Sequence, residues 1–382
     1  EQILKRDHTL KLVKFGGYVT SKCNDWNKIE SKTNEILNYL ENTSFEGLYQ
    51  EHKLEWAKIW GQSDIEIRGD NKSQQAVRFN IFQLNQTYRG DNPSLNFGPK
   101  GFTGEKYGGS TYWDTEAYCV PFCLGTKPPN VTLNLLNYRY RHLDKAIENA
   151  KKLGFKNGAA LFPMVTMNGE ECHNEWEITF EEIHRNNAIA YAIFNYTRYT
   201  GNSKYLLDKG LQVLVGICRF WAQRVSYSEK KNKYVILGVT GPNEYENNIN
   251  NNWYTNYSTK WCLKFTLDSI KICKKNNANS FEELSKKLKI KKYELDLWLK
   301  ISKNIYLNKN EELGVFVQQD GFFDKDLKEV DKLDYSQRPL NQNWSWDRIL
   351  RSPYIKQADV LQGIYFFEDK FDTKSIKNNY EF

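Results

Sequence analysis

The chain has 382 residues, 40% of them apolar and 15% aromatic, and carries a net charge of +7 from 54 Lys and Arg against 47 Asp and Glu. That length supports a large core and one to three domains. The positive excess is thin and scattered, without a basic stripe interleaved with aromatics, which argues against nucleic acid as a partner, and no run approaches the ~18 apolar residues of a membrane span.

Residues 9–20 alternate in the manner of a strand. Residues 25–61 carry apolar positions at helical spacing, among them Trp26, Ile29, Ile36, Leu40, Leu54 and Ile59. A short extended piece at 64–68 follows, and Asp70 is placed to cap a helix over about 71–88. Further helices are predicted near 111–124, 131–153, 178–200, 203–225, 254–275, 280–288, 291–305 and 356–368. The 178–200 helix has Glu181 and Glu182 in its first turn and ends at Thr200-Gly201, as the helix dipole and glycine termination favour. Long loops at 89–110, 154–177, 226–252 and 309–355 tend to alternate with short joints. Stacked αα-hairpins produce that rhythm, and loops of this length are usually functional. The expected architecture is therefore a toroid of paired helices with its site at the long-loop end.

The seven cysteines are Cys23, Cys119, Cys123, Cys172, Cys218, Cys262 and Cys273. An odd, widely spaced set fits no disulfide framework, and reduced thiols imply the cytoplasm. Cys119 and Cys123 could share a helix face, but without a second cluster they make no zinc site. The opening residues 1–8 show no apolar stretch of the secretory kind.

Gly241-Pro-Asn-Glu-Tyr245 is the most informative segment. Proline fixes φ and glycine permits a sharp reversal, so Glu244 sits on a stiff bend. Tyr245, Trp253, Tyr254 and many Asn amides surround it in sequence. Rings cover the apolar faces of a sugar and amides bond its hydroxyls, so a rigid acid here suggests proton donation to a glycosidic oxygen. An Asn-rich surface loop is the plain alternative. Partial burial among those three rings is expected to keep the acid able to donate.

Three further segments carry related chemistry. At Tyr112-Trp-Asp-Thr-Glu116, Trp113 could stack on a sugar while Asp114 accepts hydroxyls; a capping Asp with a core Trp is the alternative. The stretch 167–186 is dense in carboxylates and holds His173, Glu175, Trp176 and His184. Its His spacing is not that of a metal site, so a polar cup for a second sugar ring fits better, with His184 equally readable as a core histidine. In 352–367, Pro353 precedes a helix expected to bear Lys356, Gln357 and Asp359 in its first turn, where Lys356 and Gln357 could bond hydroxyls and favour a nearby anion.

Together Gly241–Tyr245, Tyr112–Glu116, Asn174–His184 and Ile355–Gly363 resemble glycoside hydrolase family 65, in order and over nearly the whole chain. The resemblance implies the end of an N-terminal β-sandwich at 1–22, a helical linker at 23–69 and an (α/α)6 barrel from 70 to 382. It implies inverting phosphorolysis of an α-glucoside, maltose foremost, giving β-glucose 1-phosphate and glucose. Inorganic phosphate is then the co-substrate, no metal or organic cofactor is needed, and the assembly is a homodimer. Glu244 becomes the general acid. Trp113, Asp114, Lys356 and Gln357 fall on the positions for the transferred glucose, and the 170–184 loop, with Glu175, Trp176 and His184, falls where the leaving-sugar site is shaped; Tyr112 and Asn243 are further substrate-binding residues. An inverting hydrolase needs a second carboxylate to activate water, whereas a phosphorylase needs only the acid; Glu246 is the nearest other carboxyl and is expected to point elsewhere.

The chain departs from the family pattern at its ends. About eight barrel helices are counted where twelve close a ring, and the His- and Ser-bearing phosphate segment of the family is not reached by Phe382. On that reading the ring is incomplete and this stretch alone is weakly active or inactive. Trehalose, kojibiose or nigerose as substrate, a hydrolase on the same scaffold, and a non-catalytic sugar-binding remnant remain the alternatives.

Overall fold

The computed structural model describes residues 5–21, 24–96, 98, 108–172 and 177–382. Helices dominate. Helices α1 (Ile29–Asn42), α2 (Phe45–Ser63) and α3 (Asn71–Thr87) come first. A π-helical turn, Thr115–Cys119, runs into α4 (Val120–Thr126), followed by α5 (Pro129–Arg141), α6 (Leu143–Lys152), α7 (Ile178–Glu181) and α8 (Arg185–Thr200). A second π-helical turn, Leu206–Gly210, leads into α9 (Leu211–Arg224). The hairpin β1 (Ser226–Ser228) and β2 (Lys233–Val235) precedes α10 (Trp253–Asn276), α11 (Ala278–Leu288) and α12 (Lys292–Asn304). A small hairpin, β3 (Lys309–Asn310) with β4 (Val315–Phe316), is followed by α13 (Leu340–Asn343), α14 (Trp346–Arg351), α15 (Asp359–Phe366) and α16 (Thr373–Glu381).

Two layers organise the helices. In one, the π-turn and α4 pack on α8, α8 on α10, and α10 on α15. In the other, α5 backs onto α8, while α6 and α12 flank α9. Trp221, Trp298, Phe162, Phe220 and Leu135 fill the seam between them, each almost wholly buried. The N-termini of the first-layer helices, at Thr115, Arg185, Trp253 and Asp359, lie together: the rings of Trp113, His184 and Tyr254 meet there, and Asn252 bonds Asp359. This is the arc of an (α/α)6 toroid, and it forms no closed ring among the described residues.

Local chemistry explains many boundaries. Asp70 accepts from the N–H groups of Lys72 at 2.9 Å and Ser73 at 3.1 Å, as a capping residue should. Asn252 caps α10 by accepting from Thr255 N–H at 2.9 Å. Gly201 ends α8 at φ 70°, in the left-handed region.

Four expectations are corrected. Residues 9–20 form no strand; a strand needs a hydrogen-bonded neighbour, and none pairs with them among the described residues. The single helix expected over 131–153 breaks at His142, whose ring stands edge-on to Tyr138 at 4.4 Å. The one expected over 178–200 breaks at Glu182–His184. There the Arg185 guanidinium donates to the carbonyls of Thr179 (2.6 Å), Glu182 (2.9 Å) and Phe162 (2.6 Å), drawing backbone acceptors out of the helical ladder. The last predicted helix starts at Asp359, so Lys356 and Gln357 lie on a bend before it.

Candidate active site

Each segment singled out in the sequence leads into a first-layer helix. Tyr112–Asp114 precedes the π-turn, Glu182–His184 precedes α8, Gly241–Tyr245 lies just ahead of α10, and Lys356–Gln357 precedes α15. Four helix N-termini facing one region contribute partial positive charge, which suits an anionic ligand.

The acid turn is held from several sides. Val239 and Ile249 exchange two backbone hydrogen bonds at 2.9 Å, closing the loop at its base. Thr240 N–H donates to the Glu181 carbonyl at 3.1 Å, and the Glu181 carboxylate accepts from Thr240 Oγ1 at 2.8 Å and Asn248 N–H at 2.9 Å. Beneath the turn, Asn252 Nδ2 donates to Asp359 Oδ2 at 2.7 Å. A Cβ on Gly241 would lie 2.1 Å from that same oxygen, so only glycine allows this approach. Glu244 itself sits at φ 54°, uncommon for a residue with a side chain. Backbone strain of this kind persists where the surroundings over-determine it, and it clusters at functional sites.

Glu244 and Lys356 form an ion pair, with their side chains 38% and 42% exposed. Both line a cavity of about 1110 Å³ whose wall includes Tyr245, Phe322, Trp346 and Tyr354. Of the three rings expected around Glu244, Tyr245 shares the cavity wall while Trp253 and Tyr254 do not line it. Trp253 packs with Val360 and Ile364, Tyr254 with Trp113, and Tyr245 with Leu340 and Ile349. Glu246 points away as expected, paired with Lys325 at 2.6 Å and accepting from Gln319 at 2.6 Å.

Trp113 is only 7% exposed. His184 stands edge-on to its indole at 4.7 Å, with Tyr118 at 5.6 Å and Tyr254 at 6.4 Å. Trp113 is thus a core ring outside the large cavity, and His184 is buried against it. Burial and the Arg185 charge push the His184 imidazole down to about 3, so it stays neutral. Tyr112 packs with Met164, Val165 and Ile178, and its carbonyl accepts from Arg139 at 3.3 Å. Arg139 also makes a buried two-pronged pair with Glu116 at 2.7 and 2.8 Å, fixing the start of the π-turn. Asn243 is buried; its Oδ1 accepts from the N–H groups of Lys356 (2.6 Å) and Gln357 (3.4 Å). Glu175 and Trp176 lie outside the described residues.

Two carboxyls that the sequence reading did not place in the site, Glu182 and Asp359, are buried beside the segments that form it. Burial drives Glu182 well above the ordinary carboxylate range, and Glu244 and Asp114 add to the push while Arg185 and Lys356 oppose it. Burial likewise raises Asp359 to about 8. The signal for Glu182 lay inside the 174–184 motif, where a first-turn acid reads as ordinary helix-dipole chemistry. Among the described residues no group of His, Cys, Asp or Glu is arranged to hold a metal. No helix among the described residues is long and apolar enough to cross a membrane.

A two-layered helical arc with one acid on a strained turn at its N-terminal end defines a carbohydrate-active scaffold of the α/α type. Residues 78–382 match the central catalytic domain of glycosyl hydrolase family 65, and the chain belongs to that family. It is 53% identical to maltose phosphorylase of Bacillus subtilis over 97% of its own length and 48% of that protein. It is 36% identical to an alpha,alpha-trehalose phosphorylase of Thermoanaerobacter brockii, over 97% of this chain and 48% of that one. A solved structure described as "Putative kojibiose phosphorylase from human microbiome" superposes with TM-score 0.85 at 30% identity, covering 94% of this chain and 49% of its own. The chain spans about half the length of these relatives.

Proposed function

We propose that the chain carries the acid-bearing part of an inverting phosphorylase that converts maltose and phosphate to β-glucose 1-phosphate and glucose. A phosphate oxygen attacks the anomeric carbon from the face opposite the glycosidic bond. As that bond breaks, the Glu244 carboxyl delivers a proton to the leaving sugar oxygen, and the proton released on forming the phosphate ester restores the acid. Asp114, Lys356 and Gln357 hold hydroxyls of the transferred glucose, with Tyr112 and Trp113 along its margin and Asn243 fixing the Lys356 bend. Glu175 and Trp176 serve in binding the departing glucose, and His184 steadies Trp113. The gathered helix ends favour phosphate, and no metal takes part. The parts are a short lead-in at 1–22, a helical linker at 23–69 and the catalytic unit at 70–382, working in the cytoplasm as a homodimer.

The observation that carries this reading is Glu244 on its strained turn, ion-paired with Lys356 from a distant segment, both lining one cavity. The choice of maltose rests on the 53% identity to the Bacillus subtilis enzyme, against 36% or less for the relatives named for other sugars. The test is phosphate-dependent release of β-glucose 1-phosphate by the intact protein from maltose, trehalose, kojibiose and nigerose. Maltose should be cleaved first, and Glu244→Gln should lose about 10²- to 10⁴-fold in rate while still binding glucose. Undiminished turnover by Glu244→Gln removes the acid assignment, and preference for another disaccharide removes maltose.

A further inference from the structure

Glu246 and Lys325 form a largely buried ion pair beside the acid turn, their side chains 11% and 14% exposed and 2.6 Å apart. Such a pair is a poor source of stability, because taking two charges out of water costs about as much as their attraction returns. The Lys325 ammonium has three donors, and all three are engaged. One meets Glu246 Oε1, one the Leu350 carbonyl at 3.1 Å and one the Ser352 carbonyl at 2.9 Å. The other carboxylate oxygen of Glu246 accepts from Gln319 Nε2 at 2.6 Å. Glu246 is thus pinned by both oxygens, and Lys325 bridges it to the stretch of chain that runs into Lys356.

Glu244 therefore lies between two ties to one segment. Just before it, Asn243 Oδ1 accepts from the N–H groups of Lys356 and Gln357 at 2.6 and 3.4 Å. Just after it, Glu246 is joined through Lys325 to Leu350 and Ser352. A single attachment would set the distance between the turn and this segment and leave the turn free to pivot. Two attachments that flank Glu244 fix its rotation as well. Between them in sequence, Tyr245 joins an apolar cluster with Ile349 and Tyr354.

We infer that Lys325 is a positioning residue for the general acid: through Glu246 it sets the direction in which the Glu244 carboxyl meets the leaving oxygen. The inference rests on the acid role proposed above for Glu244. Lys325 and Glu246 do not line the cavity that Glu244 and Lys356 share, so they act through the turn and not on the sugar. A general acid works only where its proton meets the leaving oxygen, and a displacement of about 1 Å can cost 10²-fold in rate.

The test compares phosphorolysis of maltose with that of dinitrophenyl α-glucoside by the intact protein. Phosphate attacks the anomeric carbon of either substrate, but the dinitrophenolate departs as an anion without a proton, so only maltose needs the aimed acid. Lys325→Met should lose about 10- to 100-fold in kcat on maltose, while its rate on the activated glucoside and its glucose affinity stay near those of the wild type. Glu244→Gln should show the same selectivity between the two substrates. Should Lys325→Met fail to fold with Glu246 left unpaired, the double variant Lys325→Met with Glu246→Leu strands no charge and carries the same comparison. Equal losses on both substrates, or no loss on either, overturn the positioning role. Selectivity in Glu244→Gln alone then leaves the phosphorylase reading standing, whereas equal losses in Glu244→Gln remove the acid and the inference together.

Discussion

The side-chain carbonyl of Asn243 accepts the backbone N–H of Lys356 at 2.6 Å, joining the turn that bears Glu244 to a bend 113 residues further along the chain. The same oxygen reaches the N–H of Gln357 at 3.4 Å. One buried amide thus sets the spacing between the acid and its ammonium partner.

Asn243→Ala should therefore act on both stability and function. It leaves two part-buried N–H groups without their acceptor, a loss of about 0.5–1.5 kcal/mol. The urea midpoint should fall accordingly, and glucose affinity should weaken as the Lys356 bend loosens. An unchanged midpoint would show that the tie contributes nothing in solution.

Gly241→Ala probes the packing under the same turn. The added methyl would stand 2.1 Å from Asp359 Oδ2 and 2.5 Å from Asn252 Nδ2, both buried and bonded to each other. Neither can move without breaking that bond, so overpacking should cost about 1–3 kcal/mol, and Glu244 should shift with the turn. Calorimetry checks the first effect and phosphorolysis rate the second. A variant with wild-type melting and wild-type rate would mean the turn has slack.

Much of this was legible in sequence where the cause is local. The Asp70 cap, the Gly201 stop and the span of α10 follow from neighbouring residues and were read correctly. The Glu244 bend was visible in its Gly-Pro pair. What escaped was set by distant contacts. Helical periodicity runs straight across 182–184, but Arg185 breaks the helix there by reaching for the carbonyls of Phe162 and Thr179. Trp113 reads equally as a stacking ring or a core ring, and only the distant His184 and Tyr254, which pack on it, show how far it is buried. Lys356 and Gln357 read as helical because Pro353 suggested an early start; the helix begins only where Asp359 is buried against Asn252. The alternation at 9–20 predicts a strand, but pairing is non-local and no single strand can supply it.

Asp359 gives the stability a pH slope of definite sign. Its folded-state value is raised to about 8 from an ordinary 3.8, chiefly by burial. Between those values the folded protein holds a proton that the unfolded chain releases, so stability falls as pH rises. The contribution is fully present below about pH 4 and is lost progressively toward pH 8, a change on the order of 5 kcal/mol if Asp359 acted alone. Glu182, raised in the same direction, adds to the slope. Asp359→Asn mimics the neutral form and should flatten the decline in unfolding free energy between pH 5 and 8. If the wild type and variant decline in parallel, Asp359 is ionised throughout and the slope has another source.

The pair Arg139–Glu116 fixes the other wall of the site. Both side chains are almost fully buried, at 3% and 2%, and the guanidinium also holds the Tyr112 carbonyl just before Trp113 and Asp114. Burying an ion pair is costly, so its net worth against an apolar pair is small, but removing one member strands the other. Arg139→Met should therefore destabilise by about 3–5 kcal/mol. The double variant Arg139→Met with Glu116→Leu should recover much of that loss, while glucose binding stays weak because nothing orients the Tyr112–Asp114 entrance. Denaturant melts of the two variants with parallel glucose titrations separate these effects. Recovery of both stability and glucose affinity in the double variant would reduce the pair to packing alone.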